Sequence, residues 1–178
     1  MKALLLTGAL FILGCGWQEG SGHYKVYLDP NFTTDKQVLI KQGVSKWETM
    51  VDGTVTFHYT KNWEQENNLI TISPGTVQSL TNLYGSLDQA REDIDVLGET
   101  RFEGTSSMIL ISINLPPVNF LETTEHELGH AIGLGHSDRG EVMYWSQKGA
   151  AKEVTCGDVR SFCDVWDCDP WKLSGCQL

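Results

Sequence analysis

Residues 126–136 read His126-Glu127-Leu128-Gly129-His130-Ala131-Ile132-Gly133-Leu134-Gly135-His136, and Met143 follows seven positions after the last histidine. This run restricts the fold more than any other stretch, because it demands a helix followed at once by a sharp turn. On a helix from Glu125 to Gly133, His126 and His130 stack on one face one turn apart, and both imidazoles can reach the same ion. A helix carried on to residue 136 would point the third histidine away. The chain must therefore turn after His130, and Gly133 is the residue that can take a positive φ to allow it. His136 then returns as a third nitrogen ligand. Three protein ligands leave one tetrahedral position of a zinc ion open to water, which separates a hydrolytic zinc site from a closed structural one. Glu127 stands beside such an ion without binding it, placed to accept a proton from the water and pass it to a leaving amine. The five-residue core alone also fits a helix with two exposed histidines; Gly133, His136 and Met143 in register leave that reading little room.

The longer pattern resembles the metzincin signature, and within it the matrixin branch. Glu127-Leu128-Gly129-His130, His136-Ser137 and Val142-Met143-Tyr144 are similar to the matrixin forms H-E-x-G-H, G-H-S and the V/L-M-Y of the Met-turn. The resemblance implies a zinc metalloprotease in which Met143 forms a hydrophobic floor under the metal and Tyr144 lies near the site. It implies an α+β, zincin-like domain: a twisted, mostly parallel sheet of five strands, a backing helix, the active-site helix and a C-terminal helix. The family's structural zinc and calcium loops have no counterpart, since only His23 and His58 precede His126. One catalytic Zn2+ is therefore expected, Ca2+ is possible but supported by no motif, and no switch segment is expected ahead of the catalytic domain. Trp145 stands where the family usually has proline, which puts its usual specificity pocket in doubt.

The amino terminus carries a different message. One lysine, the apolar run Ala3 to Leu13 and then Gly14-Cys15 read as an export signal too short to span a bilayer. Ile12-Leu13-Gly14-Cys15 resembles a bacterial lipobox, with Cys15 as the lipidated first residue of the mature chain; an ordinary signal peptide cut nearby is the alternative. The expected organisation is a signal over residues 1–14, a glycine-rich tether over 15–22, and one catalytic domain over 23–178. The formal charge of -10 becomes -11 once Lys2 is removed with the signal. Such an acidic chain argues against nucleic acid and anionic lipid surfaces as partners and does not identify the substrate; the resemblance implies a peptide or protein substrate, and a monomer that meets the membrane only through the lipid is expected.

Between tether and motif the elements follow from patterning. His23 to Leu28 alternates as a strand, leaving His23 exposed. Thr34-Asp35-Lys36-Gln37 fits a capping box for an amphipathic helix from about Asp35 to Met50. Val55, Phe57 and Tyr59 alternate as a second strand with His58 on its polar face, and Leu69 to Ser73 is a third, stopped by Pro74-Gly75. Glu92, Asp93, Asp95 and Glu99 read as a solvated acidic face. Val96 to Thr100 is faintly similar to the family's edge strand above the cleft, Ser107 to Leu115 reads as a buried strand, and Asn119 is placed to cap the active-site helix.

After the Met-turn, Val154 to Phe162 resembles the matrixin closing helix, with Gly157 in place of its first acid and Asp158 keeping the second. A tail from about residue 155 to 178 carries Cys156, Cys163, Cys168 and Cys176. In an exported chain these are expected as two disulfides rather than a zinc knuckle, with all three pairings open. Trp166 and Trp171 read as packing for a small cross-linked subdomain. The sequence thus points to a zinc-dependent endopeptidase at a bacterial membrane face, or secreted. The rival is a non-catalytic surface lipoprotein that binds a partner through this tail.

Overall fold

The computed structural model describes residues 22–64, 67–76, 97–145 and 150–177. The signal segment, Cys15, the tether up to residue 21, and the acidic residues Glu92, Asp93 and Asp95 lie outside the described residues.

Strand β1 (His23–Leu28) turns Tyr24, Val26 and Leu28 to the core, with Val26 fully buried. His23 stays exposed on the other face and bonds Thr56 Oγ1 at 2.6 Å. Helix α1 (Thr34–Met50) begins one residue early for the expected cap: Thr33, not Thr34, accepts from Lys36 N, at 3.5 Å. Phe32, buried edge-on against Phe120, fixes where the chain joins the helix, and Thr33 falls at the boundary. Gln37 bonds Phe32 O instead of completing a box. One stripe of α1, Ile40, Val44 and Trp47, is buried as its spacing predicts.

Strands β2 (Thr56–Thr60), β3 (Leu69–Gly75), β4 (Gly98–Glu103) and β5 (Ser106–Ser112) complete a sheet in the order β2-β1-β3-β5-β4. All pairings are parallel except that of β4, which runs antiparallel to β5 at the edge. The mostly parallel five-stranded sheet is therefore as expected, with α1 as the long crossover that parallel neighbours require. His58 is exposed on β2 and belongs to no metal-ligating cluster among the described residues. Contrary to expectation, β3 runs through Pro74 and Gly75. β1 ends with Leu28 opposite Ile72, so the N–H that Pro74 lacks faces no ladder on that side. Strand β5 ends at Ser112, short of the expected Leu115; Ile109 and Ile111 are fully enclosed, while Met108 and, beyond the strand, Ile113 are exposed.

Helix α2 (Pro117–Ala131) carries the motif. Asn119 is not its cap. The helix starts at Pro117, whose fixed φ and missing N–H suit a first helical position, so Asn119 lies inside the first turn. Gly43 lets α1 and α2 approach closely, since a Cβ there would stand 3.2 Å from Thr124 Cγ2. Trp47 crosses this seam and donates its indole N–H to Glu125 O at 2.8 Å. Helix α3 (Cys156–Trp166) closes the domain. The chain then passes through two short 3-10 turns, Pro170–Lys172 and Ser174–Cys176.

The four tail cysteines form two disulfides, Cys156–Cys176 and Cys163–Cys168. The tail is not a separate subdomain, because Cys163, Leu173 and Cys176 belong to the main core. Its two tryptophans differ. Trp166 stacks on Phe162 with centroids 5.5 Å apart, whereas Trp171 is exposed with the Arg160 guanidinium 4.8 Å over its ring.

Candidate metal centre

The turn that the motif demands is built from main-chain bonds. Gly133 has φ 101°, in the region that favours glycine. Its N–H donates to His130 O at 2.8 Å, and Leu134 N donates to Gly129 O at 2.9 Å, the two bonds of a Schellman ending. Trp166 of α3 adds its indole N–H to Ile132 O at 3.0 Å. The helix stops at Ala131 and the chain doubles back, bringing His136 to His126 and His130. The ring centroids of the three imidazoles lie 4.7, 5.3 and 4.9 Å apart, and one ligating nitrogen from each falls within 4.8 Å of the others. Among the described residues, this is the cluster of side chains disposed to hold a metal ion.

Hydrogen bonds fix which nitrogen of two of these rings faces inward. His126 Nδ1 lies 2.8 Å from Val142 O, and His130 Nδ1 lies 2.8 Å from Leu134 O. A carbonyl oxygen only accepts, so both Nδ1 atoms carry the proton and both Nε2 atoms present lone pairs. Those two Nε2 atoms are 3.1 Å apart. Two acceptors at that distance repel unless a cation lies between them. Zinc with bonds of about 2.0–2.1 Å at the tetrahedral angle sets its nitrogen ligands ~3.3 Å apart, so the pair has the spacing this ion takes. Burial, then the neighbouring His130, lowers the His126 pKa to about 4; burial also lowers those of His130 and His136. All three are thus neutral near pH 7, the state in which imidazole binds metal.

Behind the three imidazoles, Asp158 of α3 organises the turn at Met143. Its carboxylate is completely buried and accepts from Val142 N and Met143 N, each at 3.0 Å, and from Thr155 N and Oγ1, each at 2.8 Å. A continuous chain therefore runs from Asp158 through the Val142 peptide to the His126 ring. Ser137 N donates to Met143 O at 3.0 Å, tying the His136 loop to the same turn. Met143 is buried against Gly129, where a Cβ would collide with its sulfur. Tyr144 is half-buried next to the exposed Trp145, with rings 5.6 Å apart.

Glu127 is buried on the β4 side of the helix. Burial raises its pKa to about 7, partly offset by the Thr100 hydroxyl, which donates to Oε2 at 2.7 Å. Glu99, expected in a solvated acidic face, is instead buried. Arg101 pairs with both of its oxygens, at 2.7 and 3.0 Å, which makes a buried carboxylate tolerable. Gly98, Thr100 and Trp166 were not marked by the motif; they come from strands and helices far away in sequence, and only a glycine in an edge strand hinted at close packing.

A family model described as Matrixin matches residues 24–163. No curated protein sequence matches. Among solved structures, archaemetzincin from Methanopyrus kandleri superposes with a TM-score of 0.53 at 15% identity, covering 83% of this chain and 97% of that one. This is a likeness of fold. High choriolytic enzyme 1, a hatching enzyme zinc-protease from Oryzias latipes, gives 0.43 at 14% identity over 72% of this chain and 53% of its own. Myroilysin gives 0.41 at 16% over 70% and 49%. The chain spans about half the length of these last two.

Proposed function

The chain belongs to the matrixin family and is a zinc metalloprotease, and on that premise we propose that it is an endopeptidase with Glu127 as its general base. The reading assigns His126, His130 and His136 as the ligands of one zinc ion. When bound, that ion supplies Lewis acidity, lowering the pKa of a coordinated water to roughly 7 and polarising a carbonyl. Glu127 lies one residue from His126 on the same helix and takes the water's proton as the oxygen attacks the scissile carbonyl. It then gives that proton to the leaving nitrogen, so the amine departs neutral and Glu127 returns ionised. Asp158 holds the Val142 carbonyl against His126 and keeps that ring in the tautomer that ligates. Trp166 and the Gly133 turn set the position of His136.

One observation carries the reading most: two Nε2 lone pairs held face to face at 3.1 Å by hydrogen bonds on the far side of each ring. The test is to measure zinc content and peptide cleavage together in Glu127→Ala. The variant is expected to keep one zinc per chain and lose turnover by at least about a hundredfold. A variant as active as the parent would end the mechanism. Cleavage profiled across a peptide library would define the preferred bond.

The same reading places the domain outside the cytoplasm as a monomer, anchored through a lipid on Cys15 after removal of residues 1–14. It is supported by the apolar run ending in Gly14-Cys15 and by two disulfides, which form in oxidising compartments. Metabolic labelling with a fatty-acid analogue, lost in Cys15→Ser, tests it. The rival scaffold reading draws little from the tail, whose Leu173 and Cys176 are buried in the domain core.

A further inference from the structure

Glu127 is held from one side by two residues of β4 that the metal-binding motif does not include. The Thr100 hydroxyl lies 2.7 Å from Glu127 Oε2 and 3.0 Å from the Glu127 main-chain oxygen. Two residues earlier, Gly98 has no side chain, and a Cβ there would stand 2.7 Å from both Cγ and Oε1 of Glu127. Strand pleating puts positions 98 and 100 on the same face. A bare position and a hydroxyl are thereby set side by side against one buried carboxyl group. Pairing of Gly98 with Ile111 and of Thr100 with Ile109 fixes the register of that face against β5.

We propose that Thr100 is a positioning residue for peptide hydrolysis, its hydroxyl holding the Glu127 carboxyl group in place. The proposal rests on the reading of Glu127 as the base. A threonine hydroxyl has one hydrogen to donate and can accept in return. Here it has two acceptors within reach. The hydroxyl donates to Oε2 and, with the main-chain oxygen beside it, ties the carboxyl group to the helix backbone. Gly98 leaves the room in which Oε1 lies, so β4 constrains the base without blocking it.

Thr100→Val keeps the branched shape and removes the hydroxyl; Thr100→Ser keeps the hydroxyl. On a peptide that the wild-type enzyme cleaves, Thr100→Val is expected to lower kcat about ten- to hundredfold, with KM and zinc content unchanged. Thr100→Ser is expected to restore kcat to within about threefold. A second measurement needs no activity: urea unfolding of chelator-stripped wild type, Thr100→Val, Glu127→Ala and the double variant. The two changes should be non-additive by at least about fivefold in the unfolding constant. Additive effects would overturn the contact, and loss of zinc together with kcat in Thr100→Val would overturn positioning in favour of a purely structural role. An inactive Glu127→Ala beside a Thr100→Val with wild-type kcat would sink the positioning role alone. A fully active Glu127→Ala would overturn both readings.

Discussion

The sulfur of Met143 lies where a Cβ on Gly129 would stand. Within a helix, alanine in place of glycine ordinarily gains up to about 1 kcal/mol. At position 129 the sign is reversed, because the added carbon meets the buried Met143 sulfur and comes within 3.1 Å of Trp47 Cζ2. Gly129→Ala should destabilise the protein by about 1–3 kcal/mol through overpacking, read as a lower urea midpoint. It should also weaken zinc retention, since the methionine shifts together with the turn that holds His126. Gly135→Ala is the control: nothing lies within 4 Å of its would-be Cβ. Equal stability of the two variants would contradict the packing argument.

Asp158 makes a second prediction. Four donors converge on one fully buried carboxylate, among them the amides of Val142 and Met143. Asp158→Ala strands those amides without water and should cost roughly 3–5 kcal/mol. Zinc affinity should fall in parallel, because the Val142 carbonyl loses its support and the His126 ring loses its fixed tautomer. Asp158→Asn retains one acceptor oxygen and should fall between. Calorimetric zinc titration of the three proteins checks the order.

What could be read from the chain, and what could not, follows the range of each interaction. The meeting of His126 and His130 on one face of the helix, the turn after His130 and the positive φ of Gly133 are consequences of spacing over a few residues, so the motif specified them. The matrixin likeness carried the mostly parallel five-stranded sheet and the closing helix, but not the order of the strands. Local signals with two near-equal solutions failed: Thr33 and Thr34 are adjacent and either can cap, and Pro117 outcompetes Asn119 for the helix start. Pro74 looked like a strand stop because the sequence does not show that β1 has already ended there. The acidic character of Glu99 suggested solvent, and only the register of β4 reveals that Arg101 folds back to cover it. Thr100 and Glu127 are 27 positions apart, and no spacing rule connects them.

The tail supports a third prediction. Three pairings of the cysteines were open by spacing; the fold brings Cys156 to Cys176 and Cys163 to Cys168, with Cα atoms 4.7 and 4.5 Å apart. The separations are 20 and 5 residues, so chain entropy predicts that losing the first costs about 3 kcal/mol and losing the second about 2. Thermal midpoints of the two paired Cys→Ala variants should fall in that order. Asp52 adds an acid dependence, since its carboxylate accepts from Ser174 N at 2.8 Å and from the Ser174 hydroxyl. The side-chain bond and then the backbone bond lower its pKa from 3.8. The clasp is therefore intact above that value and lost as pH falls through the lower folded one. Tail proteolysis at low pH should be slower to appear at pH 4 than at pH 2, and Asp52→Asn should flatten that difference.

Metal removal gives the sharpest prediction. With His126 Nδ1 and His130 Nδ1 both committed to carbonyl oxygens, chelation leaves two Nε2 lone pairs 3.1 Å apart with nothing between them. One ring must then rotate, breaking its carbonyl bond, or take up a proton. The stripped protein should lose all peptidase activity. At a zinc concentration a hundred times its dissociation constant, it should also lose about 2.7 kcal/mol of stability, a fall of roughly 5–10 °C in Tm for a domain of this size. Histidine ring resonances in the stripped protein should show His126 or His130 leaving the Nδ1–H tautomer, and added zinc should return both the tautomer and the midpoint. A chelated protein with unchanged activity, midpoint and ring tautomers would mean that the three imidazoles hold no ion, and that their convergence after the Gly133 turn serves packing alone.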